Sequence, residues 1–105
     1  MDEKQKKLFN FLDDKAFQPV LNADPDDYSG KKKDELKDVQ QATRSERKRY
    51  QNYSSAQDLW NNYQDDLDSE EAKKVDRELD DLGLPKLADF QKEFRKKAEE
   101  VGVDT

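Results

Sequence analysis

Carboxylates are the most abundant side chains in this chain that could perform acid–base or metal chemistry. The 105 residues include 26 Asp and Glu but no His and no Cys. That composition excludes Ser-His-Asp and Cys-His nucleophilic sites, and it removes the usual ligands of zinc. The acids occur as adjacent pairs: Asp13-Asp14, Asp65-Asp66 and Asp80-Asp81. Adjacent residues on a helix point about 100° apart, so no pair converges on a shared proton or metal. The sequence predicts a protein that is not an enzyme and has no catalytic, cofactor-binding or metal residues.

An acidic stretch from Asp24 to Glu35 partly matches a calcium-binding EF-hand loop. Its fifth and sixth positions are Tyr28 and Ser29, where the loop needs an oxygen ligand and a glycine. Asp24 followed by Pro25 also suits the start of a helix, because Asp caps the first turn and proline fits the first helical position. The helix start accounts for the same acids, and we predict no metal here.

Basic residues and two tyrosines lie close together in a short segment near the middle of the chain, whose basic part, Arg44 to Arg49, we call the basic turn. The candidate partner-binding residues are Arg44, Arg47, Lys48, Arg49, Tyr50 and Tyr53. Basic side chains could neutralise phosphates while the rings stack on bases, as in nucleic-acid binding. The same residues also suit a protein contact, where aromatic residues and Arg are enriched. A third interpretation places the two tyrosines in the core and pairs the basic side chains with the acidic segment 54–84, either of the same molecule or of a neighbouring one.

Charge is divided unevenly along the chain. Residues 31–53 carry 8 basic and 4 acidic side chains, whereas residues 54–84 carry 3 and 10. The net charge of the whole chain is −6, and this opposes a polyanionic partner. We therefore favour a protein partner and keep the nucleic-acid interpretation as the alternative.

Helices must position these groups, because the chain has no Ile and only two Thr but abundant Lys, Glu, Asp and Leu. Apolar residues recur every three or four positions from Leu36 to Leu67, through Tyr50, Trp60 and Tyr63. The unbroken phase favours one central helix over residues 31–67, with a break near residues 54–55 as the alternative, since Ser54 to Gln57 resembles a capping box. That helix would be about 55 Å long.

Three polar side chains interrupt the middle of this apolar register: Thr43, Glu46 and Arg47. Polar groups at such positions can fix the register of an interhelical contact, at a cost in stability. They would equally mark the point where the helix leaves the core. Both interpretations remain open from the sequence.

The flanking elements have clear local signals. A first helix is predicted over residues 2–17, ended by Pro19. A C-terminal hairpin follows the central helix: one helix begins at the Asp68–Glu71 capping motif and ends at Gly83, and the second spans Lys86 to Val101. We expect the first helix on the first half of the central helix and the hairpin on its second half.

The sequence thus predicts a single all-α domain over residues 1–105, a small helical bundle with a long central helix, an N-terminal helix and a C-terminal helical hairpin. Its expected function is a non-catalytic protein-interaction or assembly module that binds a protein partner or forms a weak homo-oligomer. The alternative is a nucleic-acid-associated protein that uses the basic segment 31–49. No apolar run is long enough for a signal peptide or a membrane span, so we expect no membrane partner and a cytoplasmic location.

Overall fold

The computed structural model describes all residues from 1 to 105, and it is 78% helical with no strands. The all-α prediction is confirmed. Six α-helices follow one another along the chain: α1 Glu3–Leu12, α2 Gln18–Leu21, α3 Lys31–Gln51, α4 Ala56–Leu67, α5 Glu70–Leu82 and α6 Gln91–Glu100.

The first helical arm continues past Pro19, where the sequence predicted an end. A π-helical turn, Asp13–Phe17, joins α1 to α2, and the Gln18 N–H donates to the Asp13 carbonyl. In a regular α-helix, the ring of Pro19 would clash with the carbonyl four residues earlier and leave it without a donor. The wider turn directly before the proline gives the ring room. The predicted helix end is therefore wrong, because a local change of helix type absorbs the proline.

The central helix is broken at Asn52–Ser55, so the favoured continuous helix over residues 31–67 is wrong and the alternative break is confirmed. Ser55 caps α4, since its side chain accepts a hydrogen bond of 3.0 Å from the Asp58 N–H. The Tyr53 carbonyl, freed by the break, accepts a bond of 2.7 Å from the Gln5 side chain. The molecule's longest axis is 45 Å, which is shorter than a continuous helix of about 55 Å would require.

Serine and glycine set the ends of the later helices. The N-cap of α5 is Ser69, one residue after the predicted cap Asp68. Its side chain accepts a hydrogen bond from the Ala72 N–H. Gly83 ends α5 in the left-handed conformation with φ of 72°, and the Leu84 N–H returns to the Leu79 carbonyl at 2.9 Å. The end at Gly83 is confirmed. A 3₁₀ turn, Leu87–Phe90, leads into α6.

The helices pack around two separate apolar clusters. The main core centres on α1, α4 and α6, and its buried members include Leu8, Phe17, Tyr50, Trp60, Tyr63 and Phe94. The small core lies between α2, α3 and α5, and it consists of Val20, Leu36, Val39, Leu79 and Leu82.

This division corrects the predicted packing. α1 lies against α4 and α6, whereas α5 lies against α3. The two C-terminal helices pack principally on different partners, so they do not form the expected hairpin on the second half of the central helix. The physical reason is the break at Asn52–Ser55, because it allows α4 to pack in the main core while most of α3 packs in the small core.

The aromatic stripe belongs to the core. Tyr50, Trp60 and Tyr63 are 1%, 3% and 0% exposed, and the ring of Tyr63 lies 4.6 Å from that of Phe94. Met1 is the only large hydrophobic side chain that is exposed. Three further aromatic side chains, Phe11, Tyr53 and Phe90, are half-buried.

Candidate partner-binding site

The predicted basic turn contributes two of its arginines to the fold itself. Arg47 holds Asp13 of the π-turn through two hydrogen bonds, Nε to Oδ1 at 2.7 Å and Nη2 to Oδ2 at 3.1 Å. Its guanidinium also lies 5.3 Å from the centre of the Phe9 ring, within cation–π range. Burial alone would raise the pKa of Asp13, but hydrogen bonds from Arg47 and Gln18 lower it overall.

Asp66 is the centre of a second group of polar contacts, which includes three more of the predicted partner-binding residues. Arg49 donates to both of its oxygens, at 3.3 and 2.9 Å, and the buried Tyr50 hydroxyl donates at 2.7 Å. Arg49 also donates to the hydroxyl of the half-buried Tyr53. Burial, followed by the hydrogen bond to Asp66, raises the pKa of Tyr50. We call Arg49, Tyr50 and Asp66 the Asp66 cluster.

Arg44, Lys48 and Arg49 are the exposed members of the predicted partner-binding set. Of these three, Arg44 and Lys48 have side chains that form no hydrogen bond or ion pair, whereas Arg49 is bound to Asp66. Arg47, Arg49 and Tyr50 are satisfied within the molecule. The interpretation that pairs the basic side chains with acids of the same molecule therefore describes most of this turn. Arg49 pairs with Asp66, which belongs to the acidic segment 54–84.

An open groove of about 510 Å³ lies between α3 and the first half of α5. We call it the α3–α5 groove. Its lining residues are Ala42, Ser45, Glu46, Arg49, Asp66, Ser69, Glu71, Ala72 and Val75. Sequence reasoning did not place a site here. The one signal for it was Glu46, a carboxylate that interrupts the apolar register of α3.

A smaller inner pocket of about 40 Å³ lies beneath this groove. Five residues line both spaces: Ala42, Glu46, Asp66, Ala72 and Val75. The remaining walls come from the π-turn, through Ala16 and Phe17, and from both cores, through Val20, Leu79 and Leu87. The pocket thus lies at the junction of the two cores, where neither cluster fills the space.

Glu46 has the most unusual electrostatic environment of this region. Its side chain is 27% exposed, and its closest cation contact is the long 3.9 Å approach to Arg49 Nη2. Burial raises its pKa from the usual 4.5 to about 7. Asp66, Asp76 and Glu71 add to this effect, and Arg49 opposes it. The pKa of Asp76, which also lines the pocket, is raised by burial against the opposing charge of Lys86. The region is therefore short of positive charge.

We predict that Glu46→Gln stabilises the fold near pH 8 and has no effect near pH 4.5. A raised pKa in the folded state means that stability is complete below the unfolded pKa and declines as pH rises towards 7. After a discount for partial exposure, the gain at pH 8 should be about 1–2 kcal/mol. Urea denaturation of both proteins at the two pH values measures it. Equal stability at pH 8, or a gain that persists unchanged at pH 4.5, would contradict the assignment.

Among residues 1–105, no group of three acidic side chains is arranged so that it could hold a metal ion. No helix combines the length and the apolar character needed to cross a membrane. No protein-family model, curated protein or solved structure matches the chain.

Proposed function

We propose that this chain is a non-catalytic protein-interaction module that receives a partner in the α3–α5 groove. The observation that carries the proposal is the groove itself, whose half-exposed floor of Ala42, Ala72 and Val75 continues into the inner pocket. Small apolar residues beside charged walls suit a segment that places one side chain inward and keeps its flanks polar. The charge-rich surface is compatible with the cytoplasm, which we retain as the proposed location.

The nucleic-acid alternative has less support than the groove. Changing all four basic residues of the turn would also remove the pairs of Arg47 with Asp13 and of Arg49 with Asp66. A fair test is therefore limited to Arg44→Glu with Lys48→Glu, which leaves the fold intact. Salt-dependent binding of DNA or RNA that this double change abolishes would favour the alternative over the groove.

Site-specific photo-crosslinking tests the proposal in the cell that makes the protein. A photoreactive residue at the exposed Ser45 lies in the groove, whereas the same residue at the exposed Lys92 on α6 lies outside it. We expect a discrete adduct from position 45 and none from position 92. The captured protein is then purified and its affinity for the wild-type chain is measured.

Ala72→Gln is the matched variant for that measurement. Ala72 is the third residue of α5, and Gln is a good helix former, so the change preserves the helix while its side chain fills the groove. We expect binding about tenfold weaker or worse. Unchanged affinity, or equal adducts from both positions, would overturn the proposal. An adduct with a second copy of this chain would make it a homo-oligomer.

A further inference from the structure

We infer that the inner pocket accepts the terminal ammonium of a lysine side chain, supplied by the partner that docks in the α3–α5 groove. This inference rests on the proposed function and names the anchor of the partner. Three independent features meet at the pocket: an unfilled space between the two cores, an apolar approach, and the carboxylate of Glu46, whose closest cation contact is the 3.9 Å approach to Arg49.

The shape of the site suits a thin aliphatic stem with a compact head. Ala42, Ala72 and Val75 line both the groove and the pocket, so they can cover the methylene groups of a side chain that passes inward. The inner volume is about 40 Å³, and a water molecule needs roughly 10–15 Å³ of such space. An ammonium and its neighbouring methylene fit, whereas an aromatic ring does not. The planar guanidinium of arginine is broader than a lysine head.

The charges around the space complement an ammonium. Carboxylates line the inner pocket from three helices: Glu46 from α3, Asp66 from α4 and Asp76 from α5. A fourth, Glu71, lines the groove outside it. Arg49 is the only basic residue in the lining, and both of its terminal nitrogens already bind Asp66. Lys86, which acts on Asp76, is engaged at 2.6 Å by Asp80. Glu46 is left with the 3.9 Å contact to Arg49 and can accept hydrogen bonds from an incoming ammonium.

Ionisation of Glu46 should couple to this binding. Its pKa of about 7 leaves it mostly protonated at pH 6 and mostly ionised at pH 8, whereas lysine, with a pKa of about 10.4, stays charged at both. An ammonium that requires the ionised carboxylate would bind up to about tenfold more tightly at pH 8 than at pH 6. The other acidic side chains near Glu46 are Asp66, Glu71 and Asp76.

The test is an NMR titration of the isotope-labelled full chain with Nα-acetyl-lysine methylamide. The matched probe is Nα-acetyl-norleucine methylamide, which keeps the aliphatic stem and lacks the ammonium. We expect amide shifts centred on Glu46, Ala72 and Val75, with millimolar half-saturation at pH 8. Affinity should fall at least tenfold for the norleucine probe and about tenfold at pH 6. Glu46→Gln should remove the pH dependence, and Asp65→Asn, a change at an exposed position of α4, should not.

Several results would overturn the inference. Equal binding of the norleucine probe would make the pocket a site for an apolar side chain. Shifts elsewhere, or no shift with the lysine probe, would remove the ammonium site. Shifts at Ala72 and Val75 that grow with protein concentration alone would assign the space to a second copy of the chain. An adduct at position 45 without lysine binding overturns only the anchor, whereas lysine binding without an adduct overturns the protein-docking role.

Discussion

Phe94→Ala should lower the free energy of unfolding by about 3–5 kcal/mol, the usual range for removing a buried phenylalanine ring. Phe94 is completely buried. Its ring centre lies 4.6 Å from Tyr63, 5.6 Å from Trp60 and 5.7 Å from Phe11, so one side chain joins α1, α4 and α6. A chain of 105 residues has little stability in reserve. We therefore expect a large fraction of the variant to be unfolded at 37 °C.

Phe90→Ala is the matched control for this change. Phe90 is half-buried and has one aromatic neighbour, Phe11 at 6.5 Å. Its removal should cost about 1–2 kcal/mol, because part of the ring is already exposed to water. Circular dichroism during urea denaturation is the suitable measurement, since the fluorescence of Trp60 depends directly on its contact with Phe94. Equal losses for the two variants would contradict the central position of Phe94.

Asp66→Ala should have the second largest effect, a loss of about 2–4 kcal/mol. The change leaves the buried Tyr50 hydroxyl without its acceptor and Arg49 without its bidentate partner. An unsatisfied buried polar group costs about 1–3 kcal/mol. The loss of the arginine pair adds less than a fully buried pair would, because the Arg49 side chain is 44% exposed.

Two comparisons make this prediction specific to the Asp66 cluster. Asp65→Ala removes the same chemical group from an exposed neighbouring position and should change stability by less than about 0.5 kcal/mol. In a double-mutant cycle with Tyr50→Phe, the losses should be non-additive by about 0.5–3 kcal/mol. Additive losses would show that the hydroxyl and the carboxylate do not depend on one another.

Helix ends with a local chemical cause could be predicted from the sequence. Gly83 and Gly102 both adopt positive φ, and each is followed by an apolar residue whose N–H returns to the helix. The caps at Asp2 and Asp24 likewise depend only on residues within three positions. Such signals act over one turn of chain, so the sequence contains all the information that they need.

Features that depend on distant partners could not be predicted in this way. The apolar periodicity continues through Asn52–Ser55, yet the helix is interrupted there. The Tyr53 carbonyl in this break accepts a hydrogen bond from the distant Gln5 side chain. The roles of Arg47 and Arg49 depend on acids 34 and 17 positions away. The inner pocket exists because two cores meet without filling the space between them. Periodicity identified the inward residues but not which cluster each would join.

The hydrogen bond from Gln5 to the Tyr53 carbonyl has a consequence for cooperativity. It joins groups 48 positions apart, one at the start of α1 and the other in the break between α3 and α4. Opening of the first turn of α1 leaves that carbonyl without its donor and removes a constraint on the angle between α3 and α4. The amino terminus and the middle of the chain should therefore open as one unit in amide hydrogen exchange. We therefore expect the amides of the first turn of α1 to exchange together with those around the break, and not to fray as an independent end.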